Sequence, residues 1–226
     1  MRALMRAAAA GGAVACAVIV LSPPFDRLAD GSFAWHMAQH MVLLFIVPLL
    51  AVLADPFHAF MRVAGKRRTA GFVRATEGLR VIASPPVALA IFVAALWGSH
   101  FSPLYEASLE HEWIHVGEHA LFLFAGTVFW LPVLAPAPVR PVSFPARLLY
   151  LFIALPQGAL LGAALTSART PLYPHYAAAT SVAHALADQS NAAAIMWIGG
   201  GLILLTALLA TFGAWAMRER RALQHV

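Results

Sequence analysis

The chain has 226 residues, of which 61% are hydrophobic and only 11% charged, with a mean hydropathy of +0.76. A soluble domain is nearer half apolar and a quarter charged, so these figures exclude a water-soluble globular protein and indicate one integral membrane domain over 1–226. The formal charge of +5 and pI near 10.1 do not point to nucleic acid, because the basic residues fall in short segments between apolar runs, as orientation signals do.

Residues 3–22 form the first apolar run, with Arg2 and Arg6 at its head. It reads as a transmembrane span. A cleaved signal peptide is the alternative, but the run is long for one and no small-x-small site ends it before Ser22-Pro23-Pro24. Cys16 is the single cysteine, which excludes an intramolecular disulfide and a cysteine-based zinc site. It reads as a small apolar residue, with a copper-binding thiol as the alternative.

A short turn at 23–32, with Asp26, Arg27 and Asp30, leads to the second span, 33–54, where Pro48 is placed to kink the helix. The connection 55–84 carries Arg62, Lys66, Arg67, Arg68, Arg74 and Arg80 among Phe57, Phe60, Met61, Phe72 and Val73. That mixture suits a basic cytoplasmic loop lying on anionic lipid. The third span is 85–101 and ends at His100. The loop after it holds Glu106, Glu110 and Glu112 and no Lys or Arg. The fourth span is 111–133, and Arg140 and Arg147 flank a proline-rich turn. The fifth is 148–165, followed by a polar loop with Arg169, Tyr173, His175 and Tyr176. The sixth, 186–217, runs into Arg218, Glu219, Arg220 and Arg221. Each span is near the ~20 residues that a bilayer core requires. The fold class is all-α, a polytopic transmembrane bundle of about six spans.

Lys and Arg accumulate on the cytoplasmic side of membrane proteins. With both termini cytoplasmic, the connection 55–84, the turn at Arg140 and Arg147 and the C-terminal tail all fall inside. The poorly basic loops fall outside. Eight of the ten histidines then sort to the outer ends of the spans: His36, His40, His100, His111, His115, His119, His175 and His184. Only His58 and His225 fall inside.

The stretch 36–41, HMAQHM, stacks His36 over His40 and Met37 over Met41 on a helix. His111, His115 and His119 repeat the same step on span four. Imidazole suits copper, zinc and iron, and thioether favours copper(I). The expected metal ligands are therefore His36, His40, His100, His115 and His119, with Met37 and Met41. Glu118, Asp188 and His111 are the groups expected to hold the ligands in place, the carboxylates by accepting imidazole N–H bonds. The bland alternative is a set of interfacial polar caps, with the methionines and with Trp35, Trp97, Trp113, Trp130 and Trp197 serving packing and anchoring.

Several stretches together resemble the CtaG family of cytochrome c oxidase assembly factors. They are HMAQHMVLL at 36–44, PLLAVLADP at 48–56, WGSHFSPLYEASLEHEWIHVGEHALFLFAGTVFWLPVL at 97–134, RLLYLFIALPQGALLGAAL at 147–165, PLYPHYA at 171–177 and DQSNAAAIMWIGGGL at 188–202. The resemblance covers most of the chain from the second span onward. It implies a multi-pass protein of the bacterial inner membrane that is not an enzyme. Such a protein helps build a haem–copper oxidase by binding or passing copper at the periplasmic face. The implied partners are oxidase subunits, a periplasmic copper donor and the lipid bilayer, with no nucleic acid. His36, His40, His100, His115, His119, Glu118 and Asp188 lie inside the matching stretches. The competing readings are a haem-binding oxidoreductase or haem-handling protein, with histidines on separate helices as axial ligands, and a transporter or proton path lined by ionisable groups.

Overall fold

A computed structural model describes residues 2–58, 77–136 and 139–224, and among these every regular element is helical. In chain order the helices are α1 (Arg2–Val20), α2 (Pro23–Gly31), α3 (Phe33–Met41), α4 (Val47–Leu53), α5 (Glu77–Ile82), α6 (Pro85–Phe101), α7 (Leu104–Glu110), α8 (Glu112–Leu134), α9 (Phe144–Ser167), α10 (Pro174–Ala179), α11 (Val182–Ala194) and α12 (Gly200–Leu223). Five stretches are long and apolar enough to cross a membrane: Ala3–Val20, Phe33–His58, Glu112–Leu134, Phe144–Ser167 and Val182–Leu223. A sixth arises when α6 is joined to α7, which bends away from it by 65°. The polytopic all-α bundle read from the sequence is the architecture found.

The boundaries shift for physical reasons. The expected turn at 23–32 contains a helix, because Pro23 and Pro24 occupy its first turn, where a fixed φ and a missing N–H cost nothing. The last span starts at Val182 because the Ser181 hydroxyl caps it, accepting from the His184 N–H at 3.3 Å. Most of the basic connection, 59–76 with Arg62, Lys66, Arg67, Arg68 and Arg74, lies outside the described residues, as does His225.

The second span is interrupted by a wide π-type turn at Val42–Ile46. Pro48 has no N–H, so the Leu44 carbonyl loses its helical donor. The Val47 N–H reaches back five residues to the Val42 carbonyl. The Phe45 carbonyl accepts instead from Trp130 Nε1, at 3.0 Å. Gly126 of α8 faces the released Leu44 carbonyl, and a side chain there would overlap Leu44 and touch Pro48. The kink expected at Pro48 is thus a bulge that lets α8 approach the second span closely. A second π turn, Ile195–Gly199, links α11 to α12.

Between the two ends the bundle is apolar. Phe92 stacks near Phe129 (centroids 4.5 Å), Phe45 meets Phe92 (5.6 Å), and the Tyr150 hydroxyl donates to the Phe129 carbonyl at 2.9 Å. In lipid, packing of this kind and not the hydrophobic effect holds helices together. At one end Arg6 of α1 pairs with Asp55 at 2.8 Å, and Arg147 donates to the Val133 carbonyl at 2.9 Å. The histidines gather at the opposite end.

Candidate metal centre

Two helices bring the core of the site together. His36 and His40 rise from α3 and His115 and His119 from α8, each pair one turn apart. One ring nitrogen from each of the four lies within 4.8 Å of the other three. His36 and His40 Nε2 are 2.9 Å apart. The His36 and His115 rings are 5.0 Å apart, those of His40 and His119 5.4 Å. His36, His40 and His119 are buried and His115 half-buried, so His115 is the ligand nearest the surface.

The site holds polar atoms that the protein leaves unmatched. Among the described residues His40 Nδ1, His115 Nε2, His119 Nε2 and both carboxylate oxygens of Glu118 have no hydrogen-bond partner. Buried polar atoms are ordinarily satisfied, and the cost of leaving them bare is greatest in a membrane interior. Glu118 Oε2 stands 3.9 Å from His40 Nε2, too far for a hydrogen bond but near enough to face a cation held by the imidazoles. Four neutral nitrogen donors with one carboxylate beside them fit a single copper, zinc or iron ion.

Around the imidazoles is a tyrosine shell that no spacing in the sequence marks. The Tyr176 hydroxyl lies 3.1 Å from His36 Nδ1 and donates to the Ala29 carbonyl at 3.4 Å. A phenol that donates there accepts from His36 Nδ1–H, which leaves His36 Nε2 unprotonated and aimed at the cluster. Burial raises the Tyr176 and Tyr173 phenols above their ordinary value, so both are neutral at physiological pH. Tyr105 of α7 is fully buried, with its ring 5.3 Å from His36, 6.4 Å from His40 and 5.9 Å from His100. The bend between α6 and α7 folds Tyr105 over the imidazoles as a cover.

The other expected residues divide. His100 Nε2 contacts Met37 Sδ at 3.2 Å, and its Nδ1 donates to the Leu96 carbonyl at 2.8 Å. His100 and Met37 therefore form a buried pair beside the four imidazoles, joined to them by the Tyr105 ring. Met41 lies against Gly200, as does Phe45. His111 is exposed at the start of α8 and stacks with Trp113, 6.3 Å away. Asp188 bonds to no imidazole among the described residues. It accepts from the Phe33 and Ala34 N–H groups at 2.6 and 3.3 Å and from the Ser32 hydroxyl at 3.0 Å. It thereby binds the start of α3, one turn before His36, and complements that helix's positive end. Gln39, also not anticipated, donates to the Val20 carbonyl at 2.6 Å and to Asp26 at 2.7 Å, tying α1 and α2 to the site helix.

The family of cytochrome c oxidase caa3 assembly factors, Caa3_CtaG, matches residues 2–218. The chain belongs to this family. The Caa3_CtaG match takes in both helices of the histidine site and the tyrosine shell. Uncharacterized proteins of Mycobacterium bovis and Mycobacterium tuberculosis are each 27% identical to it, and one of Mycobacterium leprae 25%, over 91% of this chain. The chain spans about a third of the length of these relatives (33–34%). No solved structure matches.

Proposed function

We propose that this Caa3_CtaG protein takes copper at the periplasmic face of a bacterial inner membrane and passes it to a cytochrome c oxidase during assembly, without catalysing a reaction. The observation that carries this reading is the convergence of four imidazole nitrogens within 4.8 Å beside the unmatched carboxylate of Glu118. Copper is the cargo because a haem–copper oxidase consumes it and imidazole binds it well. A copper donor in the periplasm and subunits of the oxidase are the partners this role requires. His115, half-buried, receives or releases the ion. His36, His40 and His119 hold it away from water. The His100–Met37 pair offers a thioether and an imidazole at the edge of the site for a step between donors.

The test is copper(I) loading of the purified protein, read as bound metal per chain. Wild type is expected to retain one copper, and the H36A/H40A/H115A/H119A variant none. Equal, poor retention by both would sink the proposal. A haem site is the competing reading, but a porphyrin needs a planar slot between its axial ligands, and the His36 and His40 nitrogens are in contact at 2.9 Å. A Soret band in the purified protein would reverse that preference.

A further inference from the structure

The end of the bundle away from the histidines contains a second feature, independent of the metal reading. A cavity of about 620 Å³ opens between the second, fourth, fifth and last spans, walled by Leu49, Trp130, Leu134, Phe144 and Thr206, with Arg147 at its rim. Its size falls within the roughly 300–1,000 Å³ of small-molecule sites, and nearly all of its wall is hydrocarbon.

Two guanidiniums approach one of its lining rings, Phe144. Arg147 Cζ is 5.3 Å and Arg218 Cζ 5.9 Å from the centre of the Phe144 ring. Arg147 is fixed by bonds from Nε to the Val142 carbonyl at 2.8 Å and from Nη1 to the Val133 carbonyl at 2.9 Å. Those bonds leave its Nη2 group without a partner among the described residues. Neither arginine makes an ion pair with a carboxylate among them. The nearest acid in sequence, Glu219, accepts from Trp215 Nε1 at 3.0 Å. Two unpaired positive charges held at the rim of a hydrocarbon slot complement one class of molecule in a bilayer, an acyl chain ending in an anionic phosphate.

We propose that this groove is a binding site for one anionic phospholipid, with an acyl chain in the cavity and the phosphate between Arg147 and Arg218. Arginine offers the phosphate paired N–H donors that a lysine would not. The Phe144 ring keeps both guanidiniums at the rim through cation–π contact.

Native mass spectrometry of the full chain in detergent, titrated with dioleoyl phosphatidylglycerol or dioleoyl phosphatidylcholine, tests the site. Wild type is expected to retain one phosphatidylglycerol in clear preference to phosphatidylcholine. That preference should fall about fivefold for each arginine removed, the attraction of one basic residue for an anionic surface, first in R218Q and further in R147Q/R218Q. R218Q lies at an exposed position in the last turns of α12 and leaves the Arg147 bonds intact, so its result stands if R147Q perturbs folding. A210W, which fills the cavity from its exposed wall, should lose the lipid altogether. Equal retention of the two lipids by wild type, an unchanged preference in R218Q, or displacement of phosphatidylglycerol by inorganic phosphate would each overturn the proposal. So would the absence of any preference combined with failed oxidase assembly in cells carrying A210W, which would assign the groove to a partner's helix.

Discussion

Glu118 shows at the scale of one residue why the site calls for a cation. It is 1% exposed, neither carboxylate oxygen has a hydrogen-bond partner among the described residues, and the nearest basic atom among them is His40 Nε2 at 3.9 Å. A buried, unmatched acid lowers the stability of the metal-free protein, and a positive ion among the imidazoles would reverse that penalty. Glu118→Gln should therefore separate two properties that a merely structural residue would move together. The variant should unfold later than wild type in the presence of chelator, gaining about 1 kcal/mol or more. It should bind copper(I) roughly 10–100-fold more weakly, the usual effect of removing a group that supports metal ligands. Thermal unfolding and competition with a copper(I) chelator read the two quantities. A variant that is less stable and binds as well as wild type would make Glu118 a packing residue. The histidines were legible in the sequence because the four-residue step of HMAQHM repeats on span four, and that step survives any change in packing. Tyr176 was not, since it meets His36 across 140 positions and nothing in its own neighbourhood signals the contact. Asp188, expected to orient imidazoles, instead holds the start of α3, because a carboxylate near a helix start competes for backbone N–H groups as well as for imidazoles.

The element that sets the site's register is the bulged second span. HMAQHM ends at Met41 and the π turn begins at Val42, so the bulge fixes how α3 and its histidines meet α8. Pro48 made a kink legible in the sequence; the π form was not, because it depends on Gly126 and Trp130 of another helix receiving the Leu44 and Phe45 carbonyls. Gly126 is the hinge of this arrangement, and two glycine substitutions separate close approach from helix propensity. At Gly126 a Cβ would overlap the Leu44 carbonyl, which is backbone and cannot swing aside. Gly126→Ala should cost about 1–3 kcal/mol, as overpacking does, and should also weaken copper binding by shifting His119 against His40. Gly201 has nothing within 4 Å of such a Cβ, so Gly201→Ala should be neutral or stabilising by up to ~1 kcal/mol with copper binding unchanged. Thermal unfolding of the two variants, with copper retention measured in parallel, gives the comparison. Equal stability in both would remove the close contact as the reason for the bulge.

At the scale of the whole molecule, the bundle has two chemically distinct ends. Arg6, Asp55, Arg147 and Arg218 mark one, and the imidazoles, Tyr105, Tyr176 and Asp188 mark the other. The sorting of histidines to one end was legible from loop charge alone, because insertion reads Lys and Arg next to the spans while chemistry places the ligands. The structure joins His36, His40, His100, His115 and His119 at one end, but which side of the membrane that end faces rests on the charge rule. In a chain with Cys16 replaced by Ser, a cysteine at the exposed position of Asp30 should react with a membrane-impermeant maleimide in intact cells. A cysteine at the position of Arg218 should react only after the membrane is opened. The opposite pattern would put the four imidazoles on the cytoplasmic side, where a periplasmic donor has no access to them. Copper could then reach the oxidase only by crossing the bundle. The interior between the two ends is packed with Phe45, Phe92, Phe129 and Tyr150, and among the described residues no His, Asp or Glu lies among these rings to relay an ion. A reversed topology would therefore end the delivery role while leaving metal binding intact, and the labelling pattern and the copper-loading result together identify which of the two has failed.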